Sequence, residues 1–593
     1  MAEDPTFKAT KLRIDQCLQA SRNAKSDEER EAAEAALVEV VSGLDHNYLG
    51  PTWQTDEDGG WLLPEHTLGW EILGWSATYL RHFTDEGKPL ELTPEQARFV
   101  LWWYAVDEQG KFIYNTGTLQ RLKGHGKDPL VAVLCLAEFV GPCRFSHWGE
   151  DGEPVGKPEP YSIVQVAAVS QDQTENTSKF FLRLTGKEFM AEHGVEKFSV
   201  KTQTLRAREG RQQIQMVTSN PRSLEGKQAT FTLMNETHHW LANNDGTAMY
   251  ETIDGNITKN AGAGARYLAI TNAYLPGEDS VAERLRRDYE RIAEGKAVDT
   301  GALYDSIEAH PLVPMHPAAL RVVVPLIRGD SVWLDPEAII NSMQKESIPV
   351  SRSRRMWLNQ IVASEDAMYS EAQWDELETE LYLHPGDQIT LGFDGGRTDD
   401  STALIALRTS DMLAVPLGIW EKEGEGWVIN REAVHSTVAS AFKTYKVVGF
   451  YADVNQWEEA VSEWHALYAE GLSVKSGGSS GAVGWDMRQV GLAAKAHERL
   501  VASIANGKLK WTRQVSRELA QTMRRHVLNT FRDEKPYGLL FRKQSRESNR
   551  KIDAYAALML AHEALNDFTV RGKKVETDGP AKFHYVRRNR GLR

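Results

Sequence analysis

The stretch RLKGHGKD at 121–128, running directly into the apolar DPLVAVLCLAEFV, constrains the fold of this chain more than any other segment. Glycines let backbone N–H groups approach phosphate oxygens, a lysine reaches the outer phosphates, and a following helix adds the positive end of its dipole. Gly124, Gly126 and Lys127 meet those needs. The usual pattern begins with Gly and places Ser or Thr after the lysine, whereas here Arg121 and Asp128 stand in those positions. On its own, the segment reads equally as a Gly-rich turn capping a helix.

The strands around it narrow the choice. SIVQVAAV (162–169), QIQMVTS (213–219), ATFTLMNE (229–236) and YLAITNA (267–273) are short apolar runs alternating with helix-like stretches. That pattern suits a mostly parallel, buried sheet in an α/β fold. The third run ends in Asn235 and Glu236, where nucleotide hydrolases of this class carry an acid pair, one member for magnesium and the next for water. Asn235 replaces the first acid, which leaves Glu236 as the candidate general base. The fourth run carries Thr271 and Asn272 near its close, at a neighbouring strand end suited to sensing the outermost phosphate. Either pair taken alone also reads as an ordinary polar strand end.

A second α/β unit begins at DQITLGFDGGRTDDSTALIAL. It reads as a strand ending in Asp394, a tight turn and a second strand; VVGFYADVNQWEEAV then delivers Asp453, and NRKIDAYAALMLAHEAL puts Asp553 on the first turn of an apolar helix. Hard divalent cations need oxygen ligands, and two-metal phosphodiester hydrolysis needs several carboxylates held on rigid elements. An RNase H-like fold brings its first strand, a later parallel strand and a C-terminal helix to one edge, so the three aspartates are expected to converge. Asp399 and Asp400 read as turn residues beside that site, and His526 reads as an ordinary surface histidine within a basic stretch. His238 and His239 have no third ligand at metal spacing in the sequence, so no zinc site is expected.

Length and charge set the outer frame. The 593 residues suggest roughly three or four domains, and the chain reads as five segments: a helical N-terminal region (1–60), a P-loop ATPase domain (61–330), a helical connector (331–385), a nuclease domain (386–570) and a basic tail (571–593). Cys17, Cys135 and Cys143 form no CxxC pair, which argues against a disulfide framework. The opening MAEDPTFKATK lacks the apolar core of a signal peptide, and no apolar run is long enough to span a bilayer. Neither secretion nor membrane insertion is expected. The net charge of −14 argues at first against nucleic acid, yet it is unevenly distributed. Between Lys508 and Lys551 there are thirteen Lys/Arg against four acids, and the tail carries eight against two. The first of these segments runs directly into Asp553, which points to a phosphate-binding surface beside the aspartates.

In this order the residues resemble the large terminase subunit of tailed double-stranded DNA phages, in the variant found in phages infecting actinobacteria. The likeness extends from about Leu92 to about Asn566. It rests on LTPEQARFVLWWYAVDEQGKF, RLKGHGKDPLVAVLCLAEFVGP, LMNETHHW, AITNAYLPGEDSVAERL, RRMWLNQIV, DGGRTDDSTAL and KIDAYAALMLAHE. The resemblance implies an additional-strand P-loop ATPase that drives DNA into a procapsid, followed by an RNase H-like endonuclease that cuts genome concatemers. It assigns ATP to Gln96, Arg121, Gly124, Gly126, Lys127, Asp128 and Asn235, with Gln96 at the adenine, hydrolysis to Glu236, and coupling to Thr271 and Asn272. Asp394, Asp453 and Asp553 are implied to hold two magnesium or manganese ions. A ring motor takes an arginine finger in trans, for which Arg206, Arg208, Arg211 and Arg222 are candidates. The implied partners are double-stranded DNA, the portal protein, the small terminase subunit and further copies of the chain in a pentameric ring. The implied place is the host cytoplasm and, transiently, the procapsid portal, not the mature virion. Three rivals remain. A transposase or integrase also uses an RNase H-like fold but leaves the phosphate loop unexplained; a helicase would not need the aspartate triad; a non-enzymatic DNA-binding packaging protein would carry a degenerate nucleotide site.

Overall fold

The computed structural model describes residues 5–571 except 83, 86, 197–203, 219–227, 364–366, 397–400, 423–426, 477–480, 515 and 544–549. Asp399, Asp400, Arg222 and most of the basic tail lie outside the described residues. The chain divides into two units, Met1–Glu365 and Asp366–Arg593, so the boundary falls inside the stretch read as a connector.

The first unit is built on β1 (Asn47–Leu49), β2 (Thr116–Gln120), a separate hairpin of β3 (Arg144–Trp148) and β4 (Pro154–Lys157), β5 (Ile163–Ala168), β6 (Thr204–Ala207), β7 (Gln212–Thr218), β8 (Phe231–Asn235), β9 (Arg266–Thr271) and β10 (Ala302–Glu308). Its sheet runs β1-β10-β2-β9-β8-β5-β7-β6, parallel from β10 to β7 with antiparallel strands at both edges. β9 separates the loop-bearing β2 from β8, which is the additional-strand arrangement of a P-loop fold. Every residue of β8 and β9 is buried. Strands covered on both faces cannot alternate, which is why their sequences read as continuous apolar runs.

β10 falls within 61–330 but outside the apolar runs that read as strands. Its sequence, ALYDSIE, carries Asp305, Ser306 and Glu308 into the interior, which hides the strand pattern. Each buried acid is compensated, as burial of a charge requires: Asp305 pairs with Arg121 and Glu308 with Arg286. The helix Lys127–Val140 crosses the sheet and is almost wholly buried. Its Glu138, with no exposed surface, is clamped by Arg144 at 2.6 Å and Arg266 at 2.7 Å.

The second unit orders its sheet β15-β14-β11-β12-β13-β16, from β11 (Gln388–Gly395), β12 (Thr402–Arg408), β13 (Leu413–Trp420), β14 (Lys446–Asp453), β15 (Gly484–Trp485) and β16 (Lys510–Trp511). β11, β12 and β13 are antiparallel neighbours, and β14 joins β11 in parallel. This is the RNase H-like order. The helix Asp553–Val570 lies across β11 so closely that a Cβ on Gly392 would collide with the backbone of Ala557 and Ala561. Thr390 Oγ1 donates to Ala561 O at 2.8 Å and fixes the helix in register. Among the described residues, no helix is long and apolar enough to cross a membrane.

Candidate functional sites

In the first unit, β2, β8 and β9 end at the same sheet edge: Gln120 is level with Thr271, and Asn235 with Ile270. Ligands of open parallel sheets bind at such carboxyl ends. The loop after β2 turns at Gly124 and Gly126, whose φ values of 81° and 95° are left-handed and favour glycine. Gly126 caps the helix Lys127–Val140, so the positive end of that helix faces the loop. Trp333 covers the loop, its indole N–H donating to Gly124 O at 2.9 Å. Gln96 comes within 3.5 Å of the position a Cβ on Gly126 would take. Its other role is local, since with Thr93 it forms the capping box of the helix Pro94–Trp103.

A cavity of about 530 Å³ opens over this edge, lined by Lys123, Gly124, Gly126, Lys127, Asp128, Asn235, Glu236 and Asn272 among others. Lys127 is buried, and its Nζ donates to the carbonyls of Arg121 and Leu122 at 3.2 and 3.3 Å. Burial lowers its pKa, with Glu236 acting in the opposite direction. Burial raises the Glu236 carboxyl above its ordinary value, against the pull of Lys127. Glu236 holds left-handed backbone, φ 55°, a conformation that non-glycine residues rarely adopt and that gathers at functional sites. Asn235 Nδ2 donates to Thr177 Oγ1 at 2.9 Å and to Gln173 O at 3.2 Å, while its Oδ1 is buried without a partner among the described residues. Thr177 Oγ1 in turn donates to Asp128 at 3.4 Å. An orphaned amide oxygen and a carboxylate thus face the space where a magnesium ion would accompany a nucleotide, and these hard oxygen donors fit that ion.

Thr271 Oγ1 donates to Asn272 O, and Asn272 Nδ2 donates to Arg121 O at 2.8 Å, which ties the end of β9 to the loop. Arg121 does not line the cavity; it is buried, paired with Glu95 at 2.9 Å and with Asp305. Arg206, Arg208 and Arg211 lie on or beside the edge strand β6, away from the cavity lining. The arginines that do line it are Arg352 and Arg355, on the helix Val350–Trp357. That helix is bonded to the loop, because Lys123 N–H donates to Met356 O at 2.8 Å. Nothing local marks these two residues; Arg355 falls within the RRMWLNQIV segment and Arg352 lies two positions before it. The expectation that His238 and His239 lack a third ligand is corrected: Glu236 stands with them, and the ligand atoms of the three lie within 4.8 Å of one another. The 3.2 Å approach of Glu236 Oε2 to His238 Nδ1 is not an ion pair, because burial holds the His238 imidazole neutral, and the hydrogen bonds of that nitrogen run instead to Thr271 Oγ1 and Asn272 N–H.

In the second unit, Asp394, Asp453 and Asp553 line one cavity of about 320 Å³, with Asn455, Arg488 and Lys543. Phe393 is level with Ala452, so Asp394 and Asp453 leave adjacent parallel strands side by side. Ser401 Oγ donates to Asp553 at 2.6 Å, and Met487 N–H donates to Asp453 at 3.3 Å. Burial raises the Asp453 carboxyl, and Asp486 adds to the effect. Three carboxylates facing one space form an oxygen donor set that fits hard divalent cations. His526 is fully buried rather than on the surface: it accepts from Ala554 N–H at 3.0 Å and meets Glu421 at 3.0 Å, anchoring the start of the Asp553 helix. In the basic stretch, Arg513, Arg524 and Arg525 are paired with Glu378, Asp375 and Glu421, while Lys543 lines the cavity.

No family model matches the chain. It is 38% identical to the Gene 13 protein of Mycobacterium phage L5 over 581 residues, 88% of this chain and 95% of the relative. The Gene 13 protein of Mycobacterium phage D29 is likewise 38% identical, over 587 residues, 89% of this chain and 96% of the relative. Among solved structures, the HK97 bacteriophage large terminase aligns with 84% of this chain and 100% of its own, at 14% identity and a TM-score of 0.45.

Proposed function

The chain belongs to the family of the Gene 13 proteins of mycobacteriophages L5 and D29, and from that premise and its own motif order and two folds, which resemble those of large terminases, we propose that it hydrolyses ATP to move double-stranded DNA and cuts that DNA with its second unit. The observation that carries the reading is the meeting of Lys127, Glu236 and Asn272 in one cavity at the ends of three parallel strands. Backbone N–H groups of the 121–127 loop and the Lys127 ammonium hold the phosphates, exchanging the carbonyls of Arg121 and Leu122 for phosphate oxygens. Glu236 takes a proton from water as the water oxygen attacks the terminal phosphorus and ADP leaves. Loss of the outer phosphate changes what Asn272 and Arg355 face, and both are tied by hydrogen bonds to the loop or to the helix packed on it.

In the second unit, divalent cations bound by Asp394, Asp453 and Asp553 supply the Lewis acidity for phosphodiester hydrolysis. The chain's own part is to hold those carboxylates in place through Ser401, Met487 and His526, and to present Lys543 to the phosphate backbone. The portal protein, the small subunit and a ring of like chains complete the proposed packaging machine at the procapsid. A transposase would have no use for the first cavity. The test is Glu236→Gln: ATP binding is retained while turnover falls about 10²–10⁴-fold, the usual contribution of a general base. Undiminished turnover would remove Glu236 from the mechanism.

A further inference from the structure

The Glu236, His238 and His239 cluster is not used in full by the reading above. β8 ends at Asn235; the left-handed Glu236 reverses the backbone into a single helical turn, Thr237–His239, which sets the two imidazoles 4.0 Å apart, centroid to centroid, with their planes tilted by 39°. Nδ1 of His238 and Oε2 of Glu236 are 3.2 Å apart. Two ligands of a tetrahedral zinc, with bonds of about 2.0–2.2 Å, stand roughly 3.3 Å from each other. One edge of the coordination polyhedron is therefore already formed. The third donor lies within 4.8 Å of the other two, on the exposed His239.

We propose that Glu236, His238 and His239 form a binding site for a borderline divalent transition cation, zinc or cobalt, within the nucleotide cavity. Two imidazole nitrogens and one carboxylate oxygen suit such a cation better than magnesium, which prefers an all-oxygen shell. The carboxylates of Asp128, Glu236 and Glu278 line the cavity together with Lys123, Lys127, Arg352 and Arg355, so an added cation is held by its ligand bonds rather than by a negative field. The cation would replace the weaker contacts of His238 Nδ1 to Thr271 Oγ1, 3.2 Å, and to Asn272 N–H, 3.4 Å. With Glu236 engaged as a ligand, its carboxylate no longer accepts a proton from water. Occupation of this site would switch off the proposed hydrolysis and loosen the end of β9 together.

The site itself stands on geometry; only its inhibitory effect rests on the proposed ATPase, and the experiment separates the two. Untagged full-length protein carrying Asp394→Ala, stripped with a chelator, is titrated with Co²⁺ without nucleotide while visible absorption is recorded. The expected result is one Co²⁺ per chain with the intense absorption of a four-coordinate, nitrogen-containing site, displaced by Zn²⁺. His239→Ala, a change at an exposed side chain, weakens binding tenfold or more, and His238→Ala/His239→Ala abolishes the band. A weak, oxygen-type band unchanged in both variants overturns the proposal. In a second arm, one equivalent of Zn²⁺ suppresses turnover of Mg·ATP by the wild type, and His239→Ala loses that sensitivity relative to its own zinc-free rate. Cobalt binding without any ATP turnover would sustain the site and defeat the ATPase reading, whereas zinc-insensitive turnover without the band would do the reverse.

Discussion

At the scale of single residues, the first cavity is organised by opposed shifts on two neighbours. Burial raises the Glu236 carboxyl and lowers the Lys127 ammonium, and each is partly held back by the other. A base must be deprotonated to work, so turnover is lost as pH falls through the raised Glu236 value. The acid limb of kcat against pH should have its midpoint above 4.5, the ordinary value for this carboxyl, and a midpoint at or below it would contradict the assignment. The positions of Glu236, Thr271 and Asn272 were legible in the sequence because they close the apolar runs of β8 and β9, and that of Lys127 because a Gly-rich turn and an apolar helix flank it. Arg121 was misplaced there: the sequence sets it at the head of the loop, but only the fold shows that Glu95 and Asp305 hold it beneath. Arg352 and Arg355 were illegible because folding brings them to the cavity from more than 200 positions beyond Lys127. Glu236 escaped notice as a partner of the histidines because a backbone reversal, rather than helical spacing, brings them together.

Among the elements, the helix Asp553–Val570 sets the geometry of the second site. Its approach to β11 depends on the missing side chain of Gly392. Gly392→Ala should push the helix away, cost about 3 kcal/mol in the unfolding of this unit and reduce DNA cleavage with it; an unperturbed melting transition would show that the contact is slack. The same helix carries His562, whose imidazole burial drives down to about 4. Between pH 6.5 and 4 the unfolded chain therefore binds a proton that the folded chain refuses, and stability falls as pH falls. The loss is about 3 kcal/mol for a group so deeply buried, and it should be absent from His562→Gln when unfolding is followed at both pH values. Parallel strands such as β5, β8 and β9 were readable because burial on both faces leaves them mostly apolar. β10 was not, since its buried acids are neutralised by arginines distant in sequence.

On the scale of the whole molecule, two units with separate sheets carry separate cavities, to which the proposal gives nucleotide hydrolysis and phosphodiester cleavage respectively. The net charge of −14 is compatible with a DNA partner because the basic segment ends at the second site, although several of its arginines are spent on internal ion pairs. Lys543→Glu should accordingly weaken DNA binding and cleavage while leaving ATP binding intact, as read by filter retention of labelled DNA and of nucleotide. The central claim is that one chain performs both reactions at independent centres. It is tested most directly by assaying magnesium-dependent ATP hydrolysis and plasmid cleavage in parallel on the purified wild type, Glu236→Gln and Asp394→Ala. The account predicts that Glu236→Gln loses hydrolysis and still cuts, and that Asp394→Ala hydrolyses ATP and no longer cuts. Wild-type protein lacking either activity, or variants that retain the activity assigned to the altered residue, would contradict it.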